Sequence, residues 1–229
     1  MRARHRHFNP KNAGAVRAYD ARYVSGTNNT GLQTWTDRCL VADASQADSS
    51  FRPLFIASGQ GGAPILRFDG SNDRYTFTQV NTTSNVTAMA AHKISNNGIV
   101  LAGAGNTQIL RAFNSGGNKS LFFNQNFDNT LYLSAQNVDW TTFGVATVTA
   151  LGGSPTKNFR NGVDFGNSTQ NANLTSCNWG IIGCAFNLGS DFTNMDIGIL
   201  TILPLDISSS PLRKRLEHAA AFSFKFACS

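Results

Sequence analysis

A chain of 229 residues is long enough to bury one large core and short for two domains. Only 14% of it is charged, against about a quarter in an ordinary globular protein, while 41% is hydrophobic, which excludes a disordered chain. No run of about 18 apolar residues occurs, which excludes a transmembrane helix, and the net charge of +6 gathers at the start, where Arg2, Arg4, Arg6 and Lys11 stand without an acid.

Residues 1–14 therefore read as a basic arm, and residues 15–229 as one nearly neutral folded body. Strands are expected at Ala15–Tyr19, Ile65–Phe68, Tyr75–Gln79, Val86–Ile94, Ile99–Leu101, Ile109–Phe113 and Ser120–Phe123. They continue at Thr130–Ser134, Phe143–Leu151, Lys157–Arg160, Val163–Phe165, Trp179–Cys184 and Ile197–Leu203. Tyr75-Thr76-Phe77-Thr78 and Met195-Asp196-Ile197-Gly198-Ile199 alternate apolar and polar or small residues, the period of a half-buried antiparallel strand. Turn signals punctuate the series: Asp69-Gly70-Ser71-Asn72, Asn97-Gly98, Gly116-Gly117-Asn118 and Asn161-Gly162, the last between two strands as in a tight hairpin. One helix is expected at 211–222, capped by Ser210, with Pro211 at its first position. Leu212, Leu216, Ala219 and Ala220 would form its apolar stripe, and Arg213, Lys214 and Arg215 a solvated face. Many short strands, regular turns and one late helix make an all-β protein: a two-sheet antiparallel jelly-roll sandwich with a short C-terminal helix.

Chemistry-bearing residues are sparse. Glu217 is the sole glutamate and sits on the helix, whereas a glycosidase needs two carboxylates flanking the scissile bond, one of raised pKa. Asp191 and Asp196 could form such a pair, but read as loop and strand-start residues. The histidines are His5, His7, His92 and His218, with no Gly-x-Ser-x-Gly elbow and no phosphate-cradling Gly-rich loop to accompany them. Cys39, Cys177, Cys184 and Cys228 match no zinc spacing and are expected as thiols, a Cys177–Cys184 bridge being the alternative outside a cell. Asp69 and Asp73 flank a Gly-Ser-Asn turn, where they can accept main-chain N–H bonds or serve as oxygen ligands to calcium. Trp35 is expected in the core. Tyr132, Trp140 and Trp179 are candidate sugar-stacking aromatics, with burial in the core as the competing role. Catalysis is not expected.

The N-terminal third resembles the laminin-G-like jelly-roll domains of bacterial and phage proteins, within the concanavalin A-like lectin/glucanase superfamily. The resemblance rests on a strand ending in aspartate, Val16–Asp20, then Trp35-Thr36-Asp37, Arg52-Pro53 and Leu66-Arg67-Phe68-Asp69-Gly70-Ser71-Asn72-Asp73. Late in the chain, Phe159–Gly162, Trp179–Gly183, Met195–Leu203 and Pro211–Phe226 are similar to the family's hairpin, core strand, penultimate strand and terminal helix. The resemblance implies a concanavalin A-like sandwich that binds or displays. The first expectation is a structural component of a phage particle, a capsid decoration, fibre or tail domain, anchored by its arm to other virion proteins or to itself and able to adhere to host-surface glycans. A carbohydrate-binding lectin module is the alternative. A small capsid protein whose arm binds nucleic acid is the third, although four arm charges are few for packaging a genome. The start lacks the apolar segment of a signal peptide, so the chain is expected in the virion or in the cytoplasm where it is made, with no membrane partner.

Overall fold

The structure, a computed structural model, describes residues 10–82, 84–95, 97–104, 108–115, 118–124, 139–171, 174, 177–185, 188–189 and 191–228. Its strands follow in chain order: β1 (Arg17–Asp20), β2 (Thr30–Gly31), β3 (Thr34–Trp35), β4 (Ala44–Ser45), β5 (Leu54–Ile56), β6 (Ile65–Asp69), β7 (Tyr75–Thr82) and β8 (Asn85–Ile94). Then come β9 (Gly98–Ala104), β10 (Gln108–Ser115), β11 (Asn118–Asn124), β12 (Gly144–Leu151), β13 (Pro155–Arg160), β14 (Val163–Asn171), β15 (Cys177–Ile182) and β16 (Asn194–Leu203), and finally α1 (Pro211–Phe224). Each expected strand on described residues is present; Thr130–Ser134 lies outside them. The short β2 to β5 were not foreseen, because two or three residues carry no readable period.

All pairings among the described residues are antiparallel, in two sheets. One runs β14-β13-β12-β8-β16-β6-β5-β2, and the other β11-β10-β9-β15-β7-β4-β3. The middle of the first sheet is unusual. One edge of β16 pairs with β8 along its length. The opposite edge is shared end to end, by β6 from Asn194 to Ile197 and by β1 from Ile199 to Ile202. The expected Asn161-Gly162 hairpin joins β13 to β14: both residues have positive φ, 51° and 85°, as a two-residue hairpin turn demands.

The sandwich interior is aromatic at one end. Tyr19, Trp35, Tyr75 and Phe68 are fully buried, with centroids 5.4 Å apart for Tyr19–Trp35, 6.5 Å for Trp35–Tyr75 and 6.1 Å for Phe68–Tyr75. Such tilted or edge-on pairs each add about 1 kcal/mol beyond the area they bury. In β7 the pattern is as expected, with Tyr75, Phe77 and Val80 inward and Thr76, Thr78 and Gln79 exposed. In β16 it is not: every residue from Met195 to Leu203 is buried. Its second face is covered by α1, so the alternation there separates two cores rather than core from water. Met89, Ala91, Val145, Ile199 and Leu203 join Leu216, Ala220 and Phe224 in that outer core. Gly198 permits the contact, because a Cβ there would stand 2.1 Å from the Phe224 ring.

The helix begins and ends as its sequence dictates. The Ser210 hydroxyl accepts the Leu212 N–H, Pro211 opens the first turn, and Lys225 closes the helix in the left-handed conformation. Its orientation corrects one expectation. Arg213 is buried, not solvated, and Glu217 is buried beside it, with 2.7 Å between Arg213 Nη1 and Glu217 Oε2. The other Glu217 oxygen accepts the Thr147 hydroxyl at 2.7 Å, and the Arg213 guanidinium lies 3.8 Å from the centroid of Phe159. The i,i+4 spacing of an arginine and a glutamate allowed the pair to turn inward together, neutralised.

Candidate functional site

The Trp35-Thr36-Asp37 segment organises a surface loop. Asp37 is fully buried. Its Oδ1 accepts the N–H groups of Ala18 and Cys39, each at 2.9 Å, and its Oδ2 those of Val41 and Ala42, each at 3.2 Å. Four main-chain donors thus converge on one carboxylate and wrap residues 37–42 around it. The Tyr19 hydroxyl donates to the Ala42 carbonyl at 2.9 Å, and the Asp37 N–H to Asp43 Oδ1 at 2.8 Å. Arg38, the residue after Asp37, is fixed to β1 by its N–H on the Ala18 carbonyl at 2.7 Å, and its side chain leaves the loop beside Tyr23.

Between this loop and the helix lies a groove of about 880 Å³. Its floor is the outer face of β1, β16 and β8, contributed by Ala18, Thr201, Ile199 and Met89. Helical residues from Leu216 to Ser223 wall one side. Small side chains, Ala18 below and Ala219 to Ala221 above, keep it open. Two large aromatics reach solvent at the groove, Tyr23 at 40% exposure and Phe222 at 68%. The Arg38 guanidinium sits 3.7 Å from the Tyr23 centroid and that of Arg22 5.7 Å from it, so two cations flank one ring. Arg22 is held by Asp20, with contacts of 2.9 and 3.2 Å from Nε and 2.6 Å from Nη2, and also donates to the Ser223 hydroxyl. Lys225 and His218 line the helix side. Among the described residues, three permanent cations, Arg22, Arg38 and Lys225, thus share the groove with the single carboxylate of Asp20. Sequence reading passed over this site, since its residues come from β1, the turn after it, the Asp37 loop and the last helical turns.

The residues singled out in the sequence lie elsewhere. Trp179 is fully buried, its Nε1 donating to the Thr82 hydroxyl at 3.0 Å, and Trp140 is 3% exposed within the core. Neither offers a ring face to a sugar; the need to fill the space between two sheets explains both. Tyr132, Arg2, Arg4 and Arg6 lie outside the described residues, and Lys11 is exposed in a short 3-10 turn. Asp69 and Asp73 clasp their own turn: Asp69 Oδ1 accepts the N–H groups of Ser71 and Asn72 at 2.7 and 3.3 Å, and Asp73 Oδ2 accepts that of Asp69 at 2.9 Å. Burial pushes the Asp73 carboxyl up to about 6. Among the described residues no three His, Cys, Asp or Glu side chains gather as a metal site, so calcium finds only the two aspartates of this clasp.

Asp196 lies in β16 between Arg67 at 2.7 Å and Lys93 at 3.1 Å, which hold its carboxyl below the usual range despite burial. His92 is wholly buried, and desolvation with Arg160 alongside pushes its imidazole down to about 3, so it is neutral at physiological pH. Cys39, Cys184 and Cys228 carry free thiols. Burial pushes the Cys39 thiol up to about 11, which leaves it inert. No helix among the described residues is long and apolar enough to cross a membrane.

Neither a protein-family profile nor a curated protein matches this sequence. Solved structures do. Trypanosoma rangeli sialidase, in complex with a difluorinated keto-deoxy-nononic acid, aligns over 92% of this chain at 14% identity with a TM-score of 0.60. This chain spans only 33% of that enzyme. The binding domain of botulinum neurotoxin serotype D aligns over 93% of this chain and 51% of its own at 10% identity and a TM-score of 0.59. Domain 4 of AbnA, an extracellular arabinanase of Geobacillus stearothermophilus seen with arabinotriose, aligns over 82% of this chain and 91% of its own at 12% identity and a TM-score of 0.52. At such identities the likeness is one of fold: this chain is an all-β, two-sheet sandwich closed by a C-terminal helix, consistent with the concanavalin-like jelly roll.

Proposed function

We propose that this protein is a non-catalytic carbohydrate-binding module whose ligand lies in the groove between β1, the Asp37 loop and α1. The observation that carries the reading is the groove itself, an open cavity of about 880 Å³ rimmed by Tyr23 and Phe222. Sugar recognition combines an aromatic face, for the apolar side of a pyranose, with converging hydrogen-bond groups. Phe222, well exposed at the rim, supplies the first; Arg38, His218 and Lys225 supply the second. The fold is shared with a domain seen with arabinotriose, which agrees with this use of the sandwich. Display on a phage particle, and the laminin-G-like branch expected from the sequence, gain nothing from these likenesses, so binding takes precedence over display.

Absence of catalysis is part of the proposal. Glu217 is consumed by Arg213 and Thr147, Asp196 by two cations, and Asp37 by four N–H groups. The Asp69–Asp73 clasp has one carboxyl of raised pKa, as an acid catalyst requires, but both side chains are committed to their turn. A glycan microarray probed with the full chain, with and without calcium, tests the reading. Binding to a defined set of glycans is expected, and Phe222→Ala should weaken it about tenfold, a typical loss for one stacking contact. A blank array under both conditions refutes it.

A further inference from the structure

We infer that the groove selects saccharides bearing an acidic group, a carboxylate or a sulfate, and that Arg38 is the residue that reads it. This rests on the carbohydrate-binding reading and narrows it. The two arginines at Tyr23 differ in what occupies them. Arg22 has its carboxylate, Asp20, in a chelate, and spends its remaining terminal nitrogen on Ser223. Arg38 has no such partner: among the described residues its guanidinium makes no hydrogen bond and no ion pair, and its contact is the face of Tyr23 at 3.7 Å. A planar guanidinium stacked on a ring keeps its in-plane N–H donors directed outward, the geometry that takes a carboxylate or sulfate in bidentate fashion.

Rigidity supports the assignment. A surface arginine normally loses much rotamer freedom on binding an anion. Here the backbone is fixed by the Asp37 wrap and the side chain by the ring, so part of that loss precedes the ligand. Charge points the same way. Lys225 and His218 face the groove from the helix, and Asp20, its one carboxylate among the described residues, is already neutralised by Arg22. An anionic group entering beside Tyr23 therefore meets uncompensated positive charge, while a neutral sugar would leave Arg38 unanswered.

Titration calorimetry of the full chain at low ionic strength tests this with matched probes: a galacturonic acid trisaccharide, its methyl ester and a sulfated galactose trisaccharide. The acid or the sulfate should bind at least tenfold more tightly than the ester, with the preference shrinking as salt rises. The two anionic arms show which group the site prefers. Arg38→Ala should abolish that preference, Arg38→Lys should keep part of it, and thermal melts should place both variants within a few degrees of the parent. Lys225→Ala, on the opposite wall, should lower the preference two- to threefold without touching the loop. Equal binding of acid and ester, unaffected by Arg38→Ala, overturns the inference and leaves the carbohydrate-binding reading standing. Failure of all three probes together with a blank array overturns both.

Discussion

The groove has two walls built on opposite principles. On one side, the Asp37 loop has almost no apolar packing of its own and is organised by main-chain donors around a buried carboxylate. On the other, α1 is seated by an apolar face, Leu216, Ala220 and Phe224, and pinned by the buried Arg213–Glu217 pair. The difference concerns what each wall can lose. A helix resting on many contacts tolerates the removal of one. A loop whose N–H groups share one acceptor side chain fails as a unit, because all four lose their acceptor together and those of Ala18 and Cys39 are left buried and unsatisfied.

Substitutions can break or sharpen this contrast. The largest effect is expected for Asp37→Ala, which strands the two buried donors of Ala18 and Cys39, frees two more, and should cost about 4 kcal/mol in urea unfolding. Asp37→Asn keeps one acceptor oxygen and should cost roughly half as much. On the helix side, Glu217→Ala leaves Arg213 buried without its partner and should cost about 3 kcal/mol. The double change Arg213→Met with Glu217→Met should recover most of that loss, as an apolar seat would; a loss equal to that of Glu217→Ala would mean that the ion pair, not the packing, holds the helix.

A third buried carboxylate lies between these extremes. Asp73 accepts one main-chain N–H, and burial raises its carboxyl to about 6. Because the folded value exceeds the unfolded one, the native state binds more protons between about pH 4 and 6, so stability falls as pH rises through that window. Asp73→Asn should remove this slope and raise stability at pH 7 by about 1–2 kcal/mol, with no gain below pH 4. A chemical-denaturation series against pH measures both. The smallest effect belongs to Leu40, exposed in the Asp37 loop at a φ of 59°. Leu40→Asn suits that left-handed backbone better and should stabilise by about 0.5 kcal/mol. No change in melting temperature would mean that the loop is held too weakly for backbone strain to register.

Much of the fold was readable before the structure. Alternation placed β7, Asn161-Gly162 placed a hairpin, and Ser210-Pro211 opened the helix, because each is governed by neighbours in sequence. The Trp35-Thr36-Asp37 motif was visible too, although not the convergence of four N–H groups on it. What escaped depends on distant partners. Period two in β16 looked half-exposed since nothing local reveals the helix above it. Arg213 looked solvated because the phase of a helix on its sheet is set by the receiving surface. Trp140 and Trp179 were plausible platforms by type, but the space between the sheets took them. The groove was illegible for the same reason: Arg22, Arg38, Phe222 and Lys225 meet only once both ends of the chain are in place.

That dependence has a consequence for how the protein comes to exist. The last strand in chain order is also a central one: β16 serves β8 on one side and both β1 and β6 on the other, with Arg17 opposite Ile202 and Met195 opposite Phe68. Until β16 leaves the ribosome, β1, β6 and β8 each stand with an edge waiting for it. Closure therefore comes late and all at once, and truncation before Met195 would yield a sticky half-sheet rather than a smaller domain.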